Sequence, residues 1–345
     1  MITVAGIASG LLLGYALQRG GYCMNTAFRS FYLEKDRSLV RAWVLILLIN
    51  VVGVRLFTDL GVFRPDVAPF FWPAAIVGGF VFGAGMVMAG GCASGTYYRC
   101  GRGMLGSLAA LVGFALGTSL VDGGALVELQ TGLRSSVVQF DAANATVFEV
   151  AGMESPVARW IVILALGIPA VVWLVKSPKQ RFLIGWSWQR TGLIVGVLAL
   201  AVWLLSVMQG RHFGLSFTQP TVALIRFLVG GDTSGLSVAS FIVLGVPLGA
   251  FLAAKMAGEV ILRLPEPGRF VRQFGGGLVM GLGASIAGGC NIGHSITGVS
   301  TLGITAITST AFIILGCWAM TGVIYRLEAR KAELELRTIS GVESS

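Results

Sequence analysis

Apolar residues fill this chain in long blocks, separated by short polar segments. Blocks near the roughly 17–25 residues that cross a bilayer as a helix lie near 4–20, 39–60, 73–89, 104–121, 157–175, 191–208, 237–257, 270–288 and 301–325. The pattern predicts an all-α integral membrane protein with about nine transmembrane helices. Residues 1–20 lack the basic start of a signal peptide, so they read as the first of these helices.

The polar segments differ in charge. Arg19, Arg29, Lys35, Arg37 and Arg41 fall within 18–41, and Lys176, Lys179, Arg181 and Arg190 within 176–190. Lys255, Arg263, Arg269 and Arg272 fall within 255–272. Segment 122–156 is acidic, with Asp122, Glu128, Asp141, Glu149 and Glu154. Short basic loops stay in the cytoplasm. That rule puts the N-terminus outside and the C-terminus inside, and nine spans satisfy it without a violation. The net charge of +9 is thereby assigned to membrane anchoring, and no nucleic-acid partner is expected.

A second pattern lies within the blocks. Ala89-Gly90-Gly91-Cys92-Ala93-Ser94-Gly95 returns as Ala287-Gly288-Gly289-Cys290-Asn291-Ile292-Gly293, 198 positions on. Gly78-Gly79 and Gly83-x-Gly85 precede the first copy, as Gly276-Gly277 and Gly281-x-Gly283 precede the second. With a one-residue gap, Gly101-x-x-x-Leu105-Gly106 then matches Gly298-x-x-x-Leu302-Gly303. Gly6-x-x-x-Gly10 resembles Gly192-x-x-x-Gly196 more weakly. A single transmembrane domain with two repeats is expected, about 1–125 and 190–325, joined by a linker span about 126–189. Each half holds four spans and one lies between, so the repeats should have inverted topology.

Composition sharpens this picture. Only 12% of the 345 residues are charged, against about 25% in soluble proteins. Gly contributes 49 residues, about twice the usual share; close helix packing explains many of them, but not their clustering beside cysteines. Of the five cysteines, none form a C-x-x-C pair or a zinc spacing, and the histidines are His212 and His294 alone. Structural zinc and thioredoxin-like chemistry are poorly supported, and no cofactor is expected. Cys317, in Leu315-Gly316-Cys317-Trp318, reads as a small apolar filler, and Cys100 likewise.

Cys23, Cys92 and Cys290 differ. Each follows a Gly-Gly pair directly or after one residue and opens a segment too short to cross, about 24–33, 94–100 and 291–297. Half-helix N-termini expose free N–H groups and the positive dipole end, which favour anions. Gly91 and Gly289 let the chain break there. A neutral thiol adds an S–H donor and a soft sulfur, which suits an anion with a terminal sulfur atom. Asn25, Gln219, Asn291 and His294 are further candidate donors, and Arg29, Arg99 and Arg226 candidate sources of attraction. Lys255 and Glu259 read as an interfacial helix pair. The second-half counterpart of Gly20–Arg29, His212–Pro220, has no cysteine, so the chemistry is less symmetric than the fold. Cys290 should face outward and Cys23 the cytoplasm, with Cys92 most protected behind the Cys23 loop.

These motifs, Gly-Gly-Tyr-Cys23-Met-Asn-Thr-Ala-Phe-Arg29, Ala-Gly-Gly-Cys92-Ala-Ser-Gly and Ala-Gly-Gly-Cys290-Asn-Ile-Gly-His294, resemble the three cysteine motifs of the YeeE/YedE family over essentially the whole chain. The resemblance implies uptake of thiosulfate across the bacterial inner membrane, without enzymatic activity. It implies an hourglass of full spans and half-membrane loops. It also implies relay of the anion between Cys23, Cys92 and Cys290 by S–H hydrogen bonds. Some members work with a small cytoplasmic TusA-type sulfur carrier, sometimes fused at the C-terminus. The tail of this chain, 326–345, is instead expected to be a short charged helix end. Two alternatives stay open: another sulfur- or selenium-containing anion, or a membrane thiol oxidoreductase. The oxidoreductase needs closely paired cysteines, and none are close in sequence.

Overall fold

The computed structural model describes residues 2–138, 145–153, 155–177 and 185–342. Asp141, Glu154, Lys179 and Arg181 of the charge pattern, and the last three residues of the tail, lie outside the described residues. Helix α1 (Ile2–Gly20) breaks into the short α2 (Met24–Leu33), followed by α3 (Ser38–Asp59). Strand β1 (Phe70–Phe71) leads to α4 (Trp72–Ala89), which breaks into the short α5 (Ala93–Gly101), and α6 (Leu105–Val121) follows. The middle holds α7 (Val127–Ser135), β2 (Val137–Val138), α8 (Val147–Val150) and α9 (Pro156–Val175). Then come α10 (Trp188–Val207), α11 (Thr218–Gly230), α12 (Val238–Met256), α13 (Pro267–Ala287), a π-helical stretch Gly293–Gly298 and α14 (Ile304–Val342). The strands pair antiparallel, Phe70 with Val138 and Phe71 with Val137.

Six described helical segments are long and apolar enough to cross a membrane: Ser38–Asp59, Trp72–Gly101, Pro156–Val175, Trp188–Val207, Val238–Met256 and Ile304–Arg330. The chain is therefore a multi-pass, mostly helical membrane protein. Helices α1, α6 and α13 add 19, 17 and 21 residues. Arg269, Arg272 and Gln273 in the first turns of α13 dilute its apolar run.

The packing pairs come in mates. α1 packs on α12 as α3 packs on α10, α6 on α13 as α14 on α4, and α4 packs on α13. Exchanging α1, α3, α4 and α6 for α10, α12, α13 and α14 returns the same set of pairs. Glycines permit this closeness, since without a Cβ two helix backbones can touch. A Cβ on Gly78 would strike the backbone of Ala287, and one on Gly276 the backbone of Ala89. Gly85 meets Met280 in the same way, and Gly283 meets Phe82.

These contacts also correct the alignment. Gly117 faces the Leu278 carbonyl and Gly316 the Phe80 carbonyl. These two contacts pair positions 199 apart, Gly117 and Gly316, with positions 198 apart, Phe80 and Leu278, and 198 is also the spacing of Cys92 and Cys290. A π-helical turn carries one extra residue, and Gly293–Gly298 supplies it. The element starts give a different spacing from the sequence match of Gly101–Gly106 to Gly298–Gly303. Gly101 ends α5 and Gly298 the π-helical stretch, but α6 starts at Leu105 and α14 at Ile304.

Gly14 and Gly249 show how tight the packing is. A Cβ on Gly14 meets the Val246 carbonyl, and one on Gly249 the Leu11 carbonyl. Gly14→Leu and Gly249→Leu are expected to cost about 3 kcal/mol or more, the upper range for overpacking. Gly132→Ala, inside α7 with nothing within 4 Å, is expected to raise stability by up to about 1 kcal/mol. Thermal melting of the detergent-solubilised protein checks both.

The loops gather at two ends. At one end Trp186 N donates to Arg19 O (2.9 Å), Arg19 lies 3.9 Å from Glu259, and Met104 pairs with Arg263. The described parts of all three basic loops share this end. At the other end Asp66 N donates to His212 O (2.8 Å), Thr146 pairs with Gly303, and Arg226 donates to Asp122 O (2.8 Å). The expected Lys255–Glu259 helix pair is replaced. α12 ends at Met256, so Glu259 lies beyond it and accepts from Gln18 (3.0 Å) beside Arg19.

Candidate functional site

One local geometry recurs at Cys23, Cys92 and Cys290. A glycine in the left-handed region stands two residues before each: Gly21 (φ 55°), Gly90 (φ 77°) and Gly288 (φ 91°). The next amide reaches back five residues, Tyr22 N to Leu17 O (3.0 Å), Gly91 N to Met86 O (3.1 Å) and Gly289 N to Ala284 O (2.8 Å). This closes the preceding helix. The cysteine carbonyl then accepts the first bond of the next helix, from Ala27 N (2.9 Å), Thr96 N (2.8 Å) or His294 N (2.9 Å). The half-helices expected at 24–33 and 94–100 appear as Met24–Leu33 and Ala93–Gly101. The expected 291–297 continues into the π-helical stretch. Each cysteine thus sits where free N–H groups and dipole converge.

All three thiols are fully buried. The Cys23 Sγ donates to Cys92 Sγ at 3.5 Å, and Cys92 Sγ lies 3.5 Å from Ser94 Oγ. The two thiols touch, 69 residues apart in sequence, at the starts of α2 and α5. A Cβ on Gly95 would stand 2.7 Å from Cys23 Sγ and 3.3 Å from Cys92 Sγ. The buried Tyr22 hydroxyl has no partner among the described residues. Two thiols, Ser94 and Tyr22 therefore form one small polar pocket in an apolar interior.

The Cys290 motif connects to this pocket through Met24. Asn291 Nδ2 donates to Met24 Sδ at 3.0 Å, while its buried Oδ1 has no described partner. Asn25 is buried and accepts from Cys317 Sγ at 3.9 Å, so Cys317 touches a candidate donor as well as filling space. His294 is buried with an unpartnered Nε2, which lies 3.2 Å from the position of a Cβ on Gly289. Gln219 is exposed and lines a cavity of about 380 Å³ with His212, Ser216 and Gly288. Phe217 caps α11 as Cys23 caps α2, and it stacks obliquely on Tyr97 at 5.4 Å.

Two mouths flank the thiols. At the basic end, Arg99 donates to Gly90 O and to Thr26 Oγ1 (3.3 Å). Beside it a cavity of about 510 Å³ is lined by Arg29, Arg99, Arg263, Arg269 and Arg272 against Glu266 and Glu328. At the other end, a cavity of about 170 Å³ is lined by Arg134, Gly288, Gly293, His294 and Asp66, among others. Arg226, exposed and bonded to Asp122 O, is not among the residues that line either cavity.

A family model for sulphur transport matches residues 19–319. The chain belongs to this sulphur-transport, or YeeE/YedE, family. It is 32% identical over 341 residues to the thiosulfate transporter TsuA of Escherichia coli strain K12, covering 96% of this chain and 97% of that protein. It is 33% identical over 331 residues to the thiosulfate transporter TsuA of Spirochaeta thermophila, covering 93% and 98%. A shorter match, 31% over 98 residues, joins it to the probable transporter YedE of Escherichia coli, with 28% and 23% covered.

In this member of the sulphur-transport family, membership places the thiol pair in a transport protein rather than an enzyme. Ser94 and Gly95 were in view within the repeated motif, but only the fold shows that they contact the thiols. Met24 follows Cys23 directly and looked apolar. Arg134 had no signal: it comes from α7, a helix with no counterpart in the other half.

Proposed function

We propose that the protein imports thiosulfate across the bacterial inner membrane, handing it between the buried thiols of Cys290, Cys23 and Cys92. The contact of Cys23 with Cys92 at two convergent half-helix N-termini carries this reading. The sulfonate end of the ion accepts N–H bonds from the half-helices, and its terminal sulfur accepts S–H bonds. Neutral thiols suit this best, since a buried thiolate would repel the anion. Asn291 and Met24 bridge the Cys290 motif to the thiol pair.

Nine spans complete the topology, with two inverted repeats about 1–125 and 190–325 around the linker span. The mated packing pairs and mutual glycine contacts support the repeats. The clustering of the basic loops at one end supports a cytoplasmic Arg99 mouth, with the N-terminus outside and the C-terminus inside. A TusA-type carrier would meet the ion at the Arg263–Arg272 rim.

The test is growth of a cysteine-requiring host, lacking its own thiosulfate importers, on thiosulfate alone with this gene supplied. Growth is expected. Growth on sulfite or a selenium compound but not on thiosulfate would assign a different anion.

A further inference from the structure

Cys92 and Cys290 close equivalent turns, yet only the first motif carries its own arginine. Arg99 lies in α5, and its NH1 stands 3.3 Å from the position of a Cβ on Gly91. The equivalent position in the second motif is Thr297, whose hydroxyl is turned to Leu215 O (2.6 Å). A guanidinium is nevertheless present. Arg134 NH2 stands 3.2 Å from the position of a Cβ on Gly288. Two unrelated parts of the chain thus place a cation over the same turn.

Anchoring alone does not require that cation. Arg134 donates to Ser285 O (2.7 Å) and Ile286 O (3.3 Å), but Gln130 Nε2 already donates to Ser285 O at 2.8 Å. Gln130 also donates to Asp122 (3.1 Å), holding α7 in place. Arg134 faces the 170 Å³ cavity, where His294 presents its unpartnered Nε2. The other charged side chain in that lining is Asp66. Without Arg134 the cavity would carry a net negative charge and repel an anion.

We propose that Arg134 captures the anion at the Gly288 mouth, holding its oxyanion end beside His294 while the terminal sulfur turns toward Cys290. This rests on the thiosulfate reading above. A guanidinium meets oxyanions with paired, charge-assisted hydrogen bonds. Those bonds act before the thiols, so they govern half-saturation more than the maximal rate.

The experiment measures initial uptake of radiolabelled thiosulfate by intact cells over a concentration series, corrected for protein in the membrane. Arg134→Gln is expected to raise KM on the order of tenfold, the effect of losing one charged hydrogen-bond partner, with the maximal rate within about twofold. Arg134→Lys should fall between it and the unchanged protein. Asp66→Asn should lower KM, a reversal that damage to packing would not produce and that can be read even if Arg134→Gln fails to accumulate. Arg64→Gln, an exposed arginine outside this cavity, should leave KM unchanged. An unchanged KM for Arg134→Gln, an equal rise for Arg64→Gln, or a KM for Asp66→Asn that does not fall overturns the proposal. Absence of uptake by the unchanged protein overturns the thiosulfate reading instead.

Discussion

Thiosulfate-dependent growth is expected to disappear in Cys92→Ala and Cys290→Ala, and to weaken in Cys23→Ala. Cys92 is the hub of its pocket, accepting from Cys23 and touching Ser94, both at 3.5 Å. Its loss leaves the Cys23 S–H buried without that acceptor and removes a donor for the ion. Cys290 is the thiol of the second motif, and its half-helix has no second cysteine facing it as Cys23 faces Cys92. A neutral hydrogen bond is worth about 1 kcal/mol net, and a charged partner roughly doubles it. One lost donor therefore lowers occupancy of a narrow relay by about tenfold or more. Cys23→Ala keeps Cys92 and Ser94, so residual flux is expected. Cys100→Ala and Cys317→Ala should grow nearly normally, with Cys317 the more sensitive because it reaches Asn25. Membrane levels are compared first by immunoblot. Normal growth of both Cys92→Ala and Cys290→Ala would remove thiol relay as the mechanism.

The broken turns were legible because glycine and burial leave few choices. A glycine two residues before a cysteine, at the end of an apolar run, can take positive φ and close the helix. That is why α2 lies where the sequence put it. The contact between Cys23 and Cys92 was not legible, since nothing local tells a half-helix which other half-helix it will meet. No two cysteines are close in sequence, which argues against paired thiols, yet the fold supplies a pair from 69 residues away. Leu-Gly recurs in both segments and suggests a one-residue gap, whereas the matched contacts of Gly117 and Gly316 join positions 199 apart. Arg134 was illegible for a further reason: the cation is matched between the two turns in space only. Of the expected spans, α1, α6 and α13 are the less apolar or shorter ones. Helix against helix, they rely on glycine and small residues, which hydropathy undervalues.

Gly95→Ala is expected to abolish transport while costing no more than about 1–2 kcal/mol of stability, the overpacking strain less the gain of Ala over Gly in a helix. The added methyl would stand 2.7 Å from Cys23 Sγ, too close for that sulfur to stay, and 3.3 Å from Cys92 Sγ, close enough to crowd it. The thiols must separate, and their contact at the two half-helix N-termini is lost. Stability falls by less than the clash alone would cost, because Ala in a helix is favoured over Gly by about 1 kcal/mol, which offsets part of the local strain. Gly293 provides the matched comparison, since it holds the same place after Cys290. A Cβ there meets Ser216 Oγ at 3.2 Å and Ser216 Cβ at 3.7 Å, and no sulfur is among the atoms it approaches. Gly293→Ala should therefore retain most uptake. Initial uptake rates and detergent melting temperatures for the two variants decide the matter. Equal loss in both would mean that these half-helices tolerate no side chain at all. Equal retention would mean that the Cys23–Cys92 contact is not used in transport. Loss in Gly95→Ala alone, with the protein still folded by its melting curve, places the narrow point of the path between these two sulfurs.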